Sequence, residues 1–140
     1  YPLNETTCFK INKLFRKLTK NKVKQNKTLS IKGRKFNIKN YYEGIVRFDF
    51  NDLCNKNVGA EDYIKIADIC KYILIENLPN FDDNNSNQQQ RFITLIDIIY
   101  EKKVSLTISS FSNLNKLTSA HSLLEPFKRT LSRLYELTSS

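Results

Sequence analysis

Apolar and polar positions alternate along this chain with periods that change several times, and each change marks an element. Ile11, Leu14, Phe15 and Leu18 repeat at helical spacing, with Lys and Arg between them. That spacing predicts a helix beginning near Glu5, capped by Asn4 and ending by about Lys20, before the polar run Asn21–Lys27. A period of two follows. Leu29 and Ile31 share one side, Gly33-Arg34 breaks the pattern, and Phe36 and Ile38 resume it, as in a hairpin whose turn uses the positive φ open to glycine. Tyr41-Tyr42-Glu43-Gly44 turns the chain into a third strand, Ile45–Phe50, with Val46, Phe48 and Phe50 on one face and Arg47 and Asp49 on the other.

The second half reads differently. Asn51–Cys54 suggests one helical turn, and Val58–Asp62 leads into a helix bearing Tyr63, Ile66, Ala67 and Cys70 on one side. Tyr72–Glu76 is almost wholly apolar, as a strand covered on both faces should be. Asn77-Leu78-Pro79 ends it, and Asp82–Asn87 reads as a polar, flexible loop. Phe92, Leu95, Ile96 and Ile99 define a helix, and Val104–Ser109 a second buried strand. Strand, loop, helix, strand is a βαβ unit, so these two strands should run parallel with a right-handed crossover. Ser110–Glu125 reads as loop with a short helix at Leu114–Leu117. The fold class is α/β, with an antiparallel hairpin region first and a parallel pair after it.

Composition changes this picture at three points. The 140 residues, 40% hydrophobic with nine Phe and seven Tyr, suit one domain or part of one. The chain has no Met and opens on Tyr1-Pro2-Leu3, so a fragment of a longer protein is expected. The net charge of +9 is uneven: residues 1–40 hold 12 Lys and Arg against the single acid Glu5, whereas residues 41–140 hold 11 against 13 acids. Such a basic segment suits nucleic acid or an anionic membrane surface. However, Asn and Lys fill nearly a quarter of the chain, with 16 and 17 residues, which equally reflects genome-wide codon bias. Cys8, Cys54 and Cys70 are scattered and His121 stands alone, so neither zinc nor a disulfide framework is indicated, and a reducing compartment fits.

The most informative block is Phe127–Glu136. On a helix, Phe127, Leu131 and Leu134 form an apolar stripe, and Arg129, Arg133 and Glu136 form a stripe opposite. Two arginines one turn apart can grip a phosphate or a carboxylate. Spacing alone leaves both open, along with a solvated face carrying an Arg133–Glu136 pair. Glu76 at a strand end reads as solvated or paired with an arginine. Asp62 and Tyr63 read as capping and packing a helix. Ser132 and His121 lack a third partner for nucleophilic chemistry.

Several blocks taken in order resemble the ZapE-type ATPases, bacterial cell-division P-loop ATPases whose eukaryotic relative is the mitochondrial lactation-elevated ATPase. They are Ile31–Arg34, Val46–Cys54, Val58–Tyr63, Glu76–Pro79, Arg91–Asp97 and Phe127–Glu136, the last similar to the family's F-x-R-T-x-S-R-L-x-E. The resemblance covers nearly the whole chain and implies the C-terminal part of a P-loop (AAA-like) ATPase. Residues 1–40 would be a basic helix and hairpin, and 41–140 an α/β part closed by the arginine helix. It departs from the family in two ways. The glycines are Gly33, Gly44 and Gly59, and no G-x-x-x-x-G-K-[ST] occurs. Gln90 stands where the family usually has a second arginine beside Arg91.

The resemblance implies ATP hydrolysis with ATP and Mg2+ in the full-length protein, while this piece alone, lacking the phosphate cradle, should neither bind nor hydrolyse ATP. It makes Arg129, Arg133 and Arg91 the candidate phosphate-contacting or arginine-finger residues. It implies division-site proteins as partners, homo-oligomer formation, and a cytoplasmic location or a peripheral one at the inner-membrane division site. Nucleic acid is not among the implied partners. The alternatives are a nucleic-acid-binding module, with its basic arm and with Phe48 and Phe50 offered for stacking, and an interaction domain organising oligomers.

Overall fold

In the computed structural model, which describes residues 5–20, 22, 24–31, 34–54, 59–110 and 117–138, the elements follow the sequence periods closely. Helix α1 runs Glu5–Thr19 and is followed by strands β1 (Lys24–Ile31), β2 (Arg34–Tyr42) and β3 (Ile45–Asp49). Then come α2 (Phe50–Cys54), α3 (Ala60–Ile69), β4 (Tyr72–Leu78), α4 (Ser86–Glu101), β5 (Ser105–Ser110) and α5 (Leu124–Thr138). The described strands form one sheet in the order β1-β2-β3-β4-β5. β1, β2 and β3 pair antiparallel in sequence, whereas β3 with β4 and β4 with β5 are parallel. The expected parallel pair is thus part of a parallel set of three, because α3 is itself a crossover.

Four local readings need correction. β1 begins at Lys24, inside the polar run taken to precede it, because pairing with Tyr42 extends the ladder whatever the polarity of the side chains. Phe50 opens α2 instead of ending β3, yet it stays in the same core at 1% exposure. β4 continues through Asn77, which adopts φ +65, to Leu78. Asp82–Asn87 is a capped turn and helix start instead of a loop: the Asp82 carboxylate accepts from the Asn84 amide at 2.8 Å, and the Asn85 side chain accepts from the Asp82 amide at 2.8 Å. This reciprocal cap starts a 3₁₀ turn, Asp83–Asn85, that feeds α4. The Gly33 turn lies outside the described residues, as do residues 114–116 of the expected short helix.

At the β2–β3 turn Glu43 and Gly44 take φ of +51 and +97, the two-residue geometry that matches strand twist. The Gly44 carbonyl then accepts from the amides of Lys71 and Tyr72, tying this turn to the start of β4.

The sheet has a helix layer on each face. On one, Val46, Phe48, Ile73, Ile75, Leu106 and Ile108 meet Tyr63 and Ile66 of α3, Phe92, Leu95, Ile96 and Ile99 of α4, and Phe127 and Leu134 of α5. Phe50, Phe81, Phe92 and Phe127 stack there in edge and tilted pairs 5.6 to 6.0 Å apart, which locks α2, α4 and α5 together. On the other face, among the described side chains, Leu14, Phe15 and Leu18 of α1 lie on Ile45, Leu74, Tyr42 and Tyr72.

Candidate functional site

The arginine stripe of α5 is directed at α4. Its apolar stripe sends Phe127 and Leu134 into the core, and Thr130 between them is fully buried, donating to the Pro126 carbonyl at 3.3 Å. This fixes the rotation of the helix and brings Arg129 and Arg133 to one carboxylate, Asp97. Arg133 Nη1 pairs with Asp97 Oδ1, and Arg129 Nη2 reaches Asp97 Oδ2 at 3.5 Å. The Arg133 guanidinium also lies 4.8 Å from the centre of the Tyr100 ring, a cation–π contact. Tyr100 donates to Glu136 at 2.9 Å, and that acceptor raises the phenol's pKa above its ordinary range.

The two arginines are held unequally. The Arg133 side chain is 21% exposed and Arg129 is 61% exposed, while Asp97 is 30% exposed. Arg133 is therefore a post, clamped by a carboxylate on its edge and a ring on its face. Arg129 has one long contact and an open approach. An open cleft of about 390 Å³ adjoins this cluster, lined by Tyr100, Lys103, Val104, Ser105, Glu136 and Leu137.

Arg91, the third sequence candidate, is not brought to this cluster. It lies two turns earlier on α4 and reaches the Cys54 carbonyl at 3.5 Å, beside the buried Tyr63. Asp62 accepts from the Gly59 amide at 2.8 Å, and Tyr63 donates to the Leu53 carbonyl, so both cap and pack the helix as read from the sequence. Phe48 and Phe50 are 6% and 1% exposed, which removes them as stacking platforms for bases. His121 is engaged with Asp83, through its amide at 2.9 Å and its ring at 3.2 Å.

A second polar cluster, missed in the sequence, sits at the carboxyl ends of the parallel strands. Glu76 pairs with Arg47, as the plainer sequence reading allowed, and Arg47 also donates to Asn12 of α1 at 2.6 Å and lies 5.4 Å from the Phe15 ring. Next to it Asp49 accepts from the Asn77 side chain, and the Asn77 amide donates to Ser109 Oγ at 3.2 Å. The sequence did hold one signal: polar residues at the ends of three apolar strands. Among the described residues no three His, Cys, Asp or Glu side chains converge as metal ligands. No glycine-rich phosphate loop of the G-x-x-x-x-G-K-[ST] kind occurs in the sequence either.

Parallel strands linked by helices, with polar groups at their carboxyl ends and an arginine helix packed alongside, make up an α/β architecture. The sequence matches the AFG1-like ATPase family over residues 1–140, and the chain belongs to that family of P-loop, AAA-like ATPases. It is 31% identical over 109 residues, 76% of its length, to lactation elevated protein 1 homolog B of Danio rerio, and 28% identical over 138 residues, 99% of its length, to cell division protein ZapE of Escherichia coli (strain K12). An uncharacterized protein of Schizosaccharomyces pombe is 28% identical over 78 residues. The chain spans 22% of the length of the zebrafish relative and 37% of the E. coli one. No solved structure gives a significant match.

Proposed function

We propose that the whole protein hydrolyses ATP, with Mg2+ at the phosphates, and that this chain contributes a guanidinium from its last helix to a nucleotide held outside it. The observation that carries the reading is the inequality of Arg129 and Arg133. A group that stabilises charge developing on a transferred phosphoryl must be oriented yet able to reach outward. Arg133, clamped and four-fifths covered, sets the position of α5 on α4. Arg129, one turn away and 61% exposed, is the phosphate-contacting candidate. Arg91 is the weaker candidate, directed at a backbone carbonyl.

The division role is carried in the name of the E. coli relative and not in that of the zebrafish one. What the family supports in common is the ATPase chemistry, and that is what we carry over. Division-site partners and homo-oligomer contacts are consistent with this reading but add nothing to its support.

The test is Arg129→Ala and Arg133→Ala in the full-length protein, with ATP turnover and thermal unfolding measured on the same samples. An arginine finger is worth roughly 10³–10⁵ in rate, or about 4–7 kcal/mol. Arg129→Ala should lose turnover at unchanged melting temperature, whereas Arg133→Ala should lower the melting temperature. Near-normal turnover in folded Arg129→Ala would end the reading.

A further inference from the structure

We infer that the exposed face of α1 is a binding surface for the phosphodiester backbone of nucleic acid, recognised by charge and without base readout. Lys13, Arg16 and Lys17 of α1 and Lys20 in the turn just past its end fall at i, i+3, i+4 and i+7, and all four are exposed. They form one stripe about 10 Å long, or about one cation every 3.5 Å. A single strand of duplex DNA presents one phosphate per about 3.4 Å of axis. The stripe is thus a line of positive charge at the linear density of a nucleic-acid strand. None of the four is in an ion pair among the described residues, and the sequence holds no Asp or Glu between Glu5 and Glu43. Codon bias toward Lys does not account for the missing acids, because residues 41–140 of the same chain hold 13.

The structure favours nucleic acid over a membrane. A helix that binds a bilayer uses its apolar face as well as its charges. Here Leu14, Phe15 and Leu18 are spent on the sheet, packed against Ile45, Leu74, Tyr42 and Tyr72. Arg47 pins the helix in that orientation through Asn12 and Phe15, so the stripe is held outward on a fixed support. A second basic element follows at once. β1 and β2 pair from Lys24–Tyr42 out to Ile31–Arg34, but β2 meets β3 only at Tyr41 and Tyr42. This leaves a two-stranded ribbon about 20 Å long beyond the rest of the sheet. Lys24, Lys27, Arg34, Lys35 and Lys39 lie in its strands. Ribbons of this kind fit the grooves of a duplex.

The experiment is fluorescence anisotropy of the full-length protein with a labelled DNA oligonucleotide, single-stranded and duplex, across a KCl series. Phosphatidylserine–phosphatidylcholine vesicles form the parallel arm. The variant replaces Lys13, Arg16, Lys17 and Lys20 together by Gln, with Lys128→Gln as the control and circular dichroism as the check on folding. Wild type should bind DNA with a steep loss of affinity in salt. The fourfold variant should bind at least about tenfold more weakly, with its log–log salt slope on the duplex reduced by about 3 to 4. Lys17→Gln alone, at the centre of an exposed helix face, should reduce the slope by about 1. Absence of DNA binding, an unchanged slope in both variants, or vesicle binding in preference to DNA at equal salt would each overturn the inference.

Discussion

Arg133 on α5 and Asp97 on α4 form a partly buried ion pair, and the ring of Tyr100 covers the open face of the guanidinium. The same carboxylate touches Arg129 only at 3.5 Å. Breaking a pair costs most where the partner left behind is cut off from water. Asp97→Ala should therefore lower stability by about 1–3 kcal/mol, because Arg133 loses its acceptor at 21% exposure. Arg129→Ala, at 61% exposure, should fall within about 0.5 kcal/mol of wild type. Urea unfolding of both variants checks the ordering, and equal losses would contradict the post-and-reach division of the two arginines.

A parallel case fixes α1. Arg47 lies between Glu76 of β4 and Asn12 and Phe15 of α1, and both charged side chains of the pair are about one-quarter exposed. Arg47→Ala removes the acceptors' shared donor and the cation over the Phe15 ring in one step. Among the described side chains, α1 meets the sheet through the apolar cluster of Leu14, Phe15 and Leu18, so Arg47 carries much of the described attachment. The expected outcome is a loss of about 1–3 kcal/mol, with hydrogen-exchange protection falling first in Glu5–Thr19 and least in α4. Protection lost evenly across the chain would show that Arg47 serves the core instead of the helix.

What could be read from the sequence, and what could not, divides along a physical line. α4 and β4 were legible because burial on one side, or on both, writes a period into the residues themselves. So was the orientation of α5, since Phe127 and Leu134 leave its arginines no other side to occupy. The Asp82–Asn85 cap was not legible: it uses Asn where the usual reciprocal cap has Glu or Gln, inside a run whose composition favours a loop. The partners of Arg47 and Arg133 were hidden for another reason. Arg47 and Glu76 are 29 positions apart, and Arg133 and Asp97 are 36 apart, so strand register and helix rotation decide both contacts. Phe48 and Phe50 show the reverse error, where an aromatic strand offered as a surface is in fact the floor of the core.

Gln89 is a polar side chain at 0% exposure that the helical period of α4 does not explain. It donates to Ser119 Oγ at 2.7 Å and accepts from the Ala120 amide at 2.9 Å, fastening the segment before α5 to α4. Gln89→Leu would keep the volume but orphan the Ala120 N–H, which is buried. The expected cost is about 1–3 kcal/mol. Gln89→Glu should be worse at neutral pH, since it adds a buried charge and loses the donor to Ser119. Chemical unfolding measures both, and a neutral Gln89→Leu would mean that water replaces the lost acceptor.

Cys54 and Cys70 give the fold a marked alkaline limit. Burial pushes both thiols up to about 12 from an ordinary value of 9.0, and for Cys54 the Tyr63 hydrogen bond and the Arg91 charge only partly offset it. Tyr63 is itself raised, by burial first and then by the neighbouring Cys54. The folded state thus keeps protons that the unfolded chain releases above pH 9. Stability should be constant with respect to these groups below about pH 9 and fall as pH rises from there through 12. By pH 10 the loss is about 1 kcal/mol for each thiol. Urea midpoints at pH 8, 9 and 10 should drop accordingly, and the drop should shrink in Cys54→Ala/Cys70→Ala, which removes both thiols while leaving Tyr63 in place. An identical alkaline slope in that variant would assign the limit to other groups.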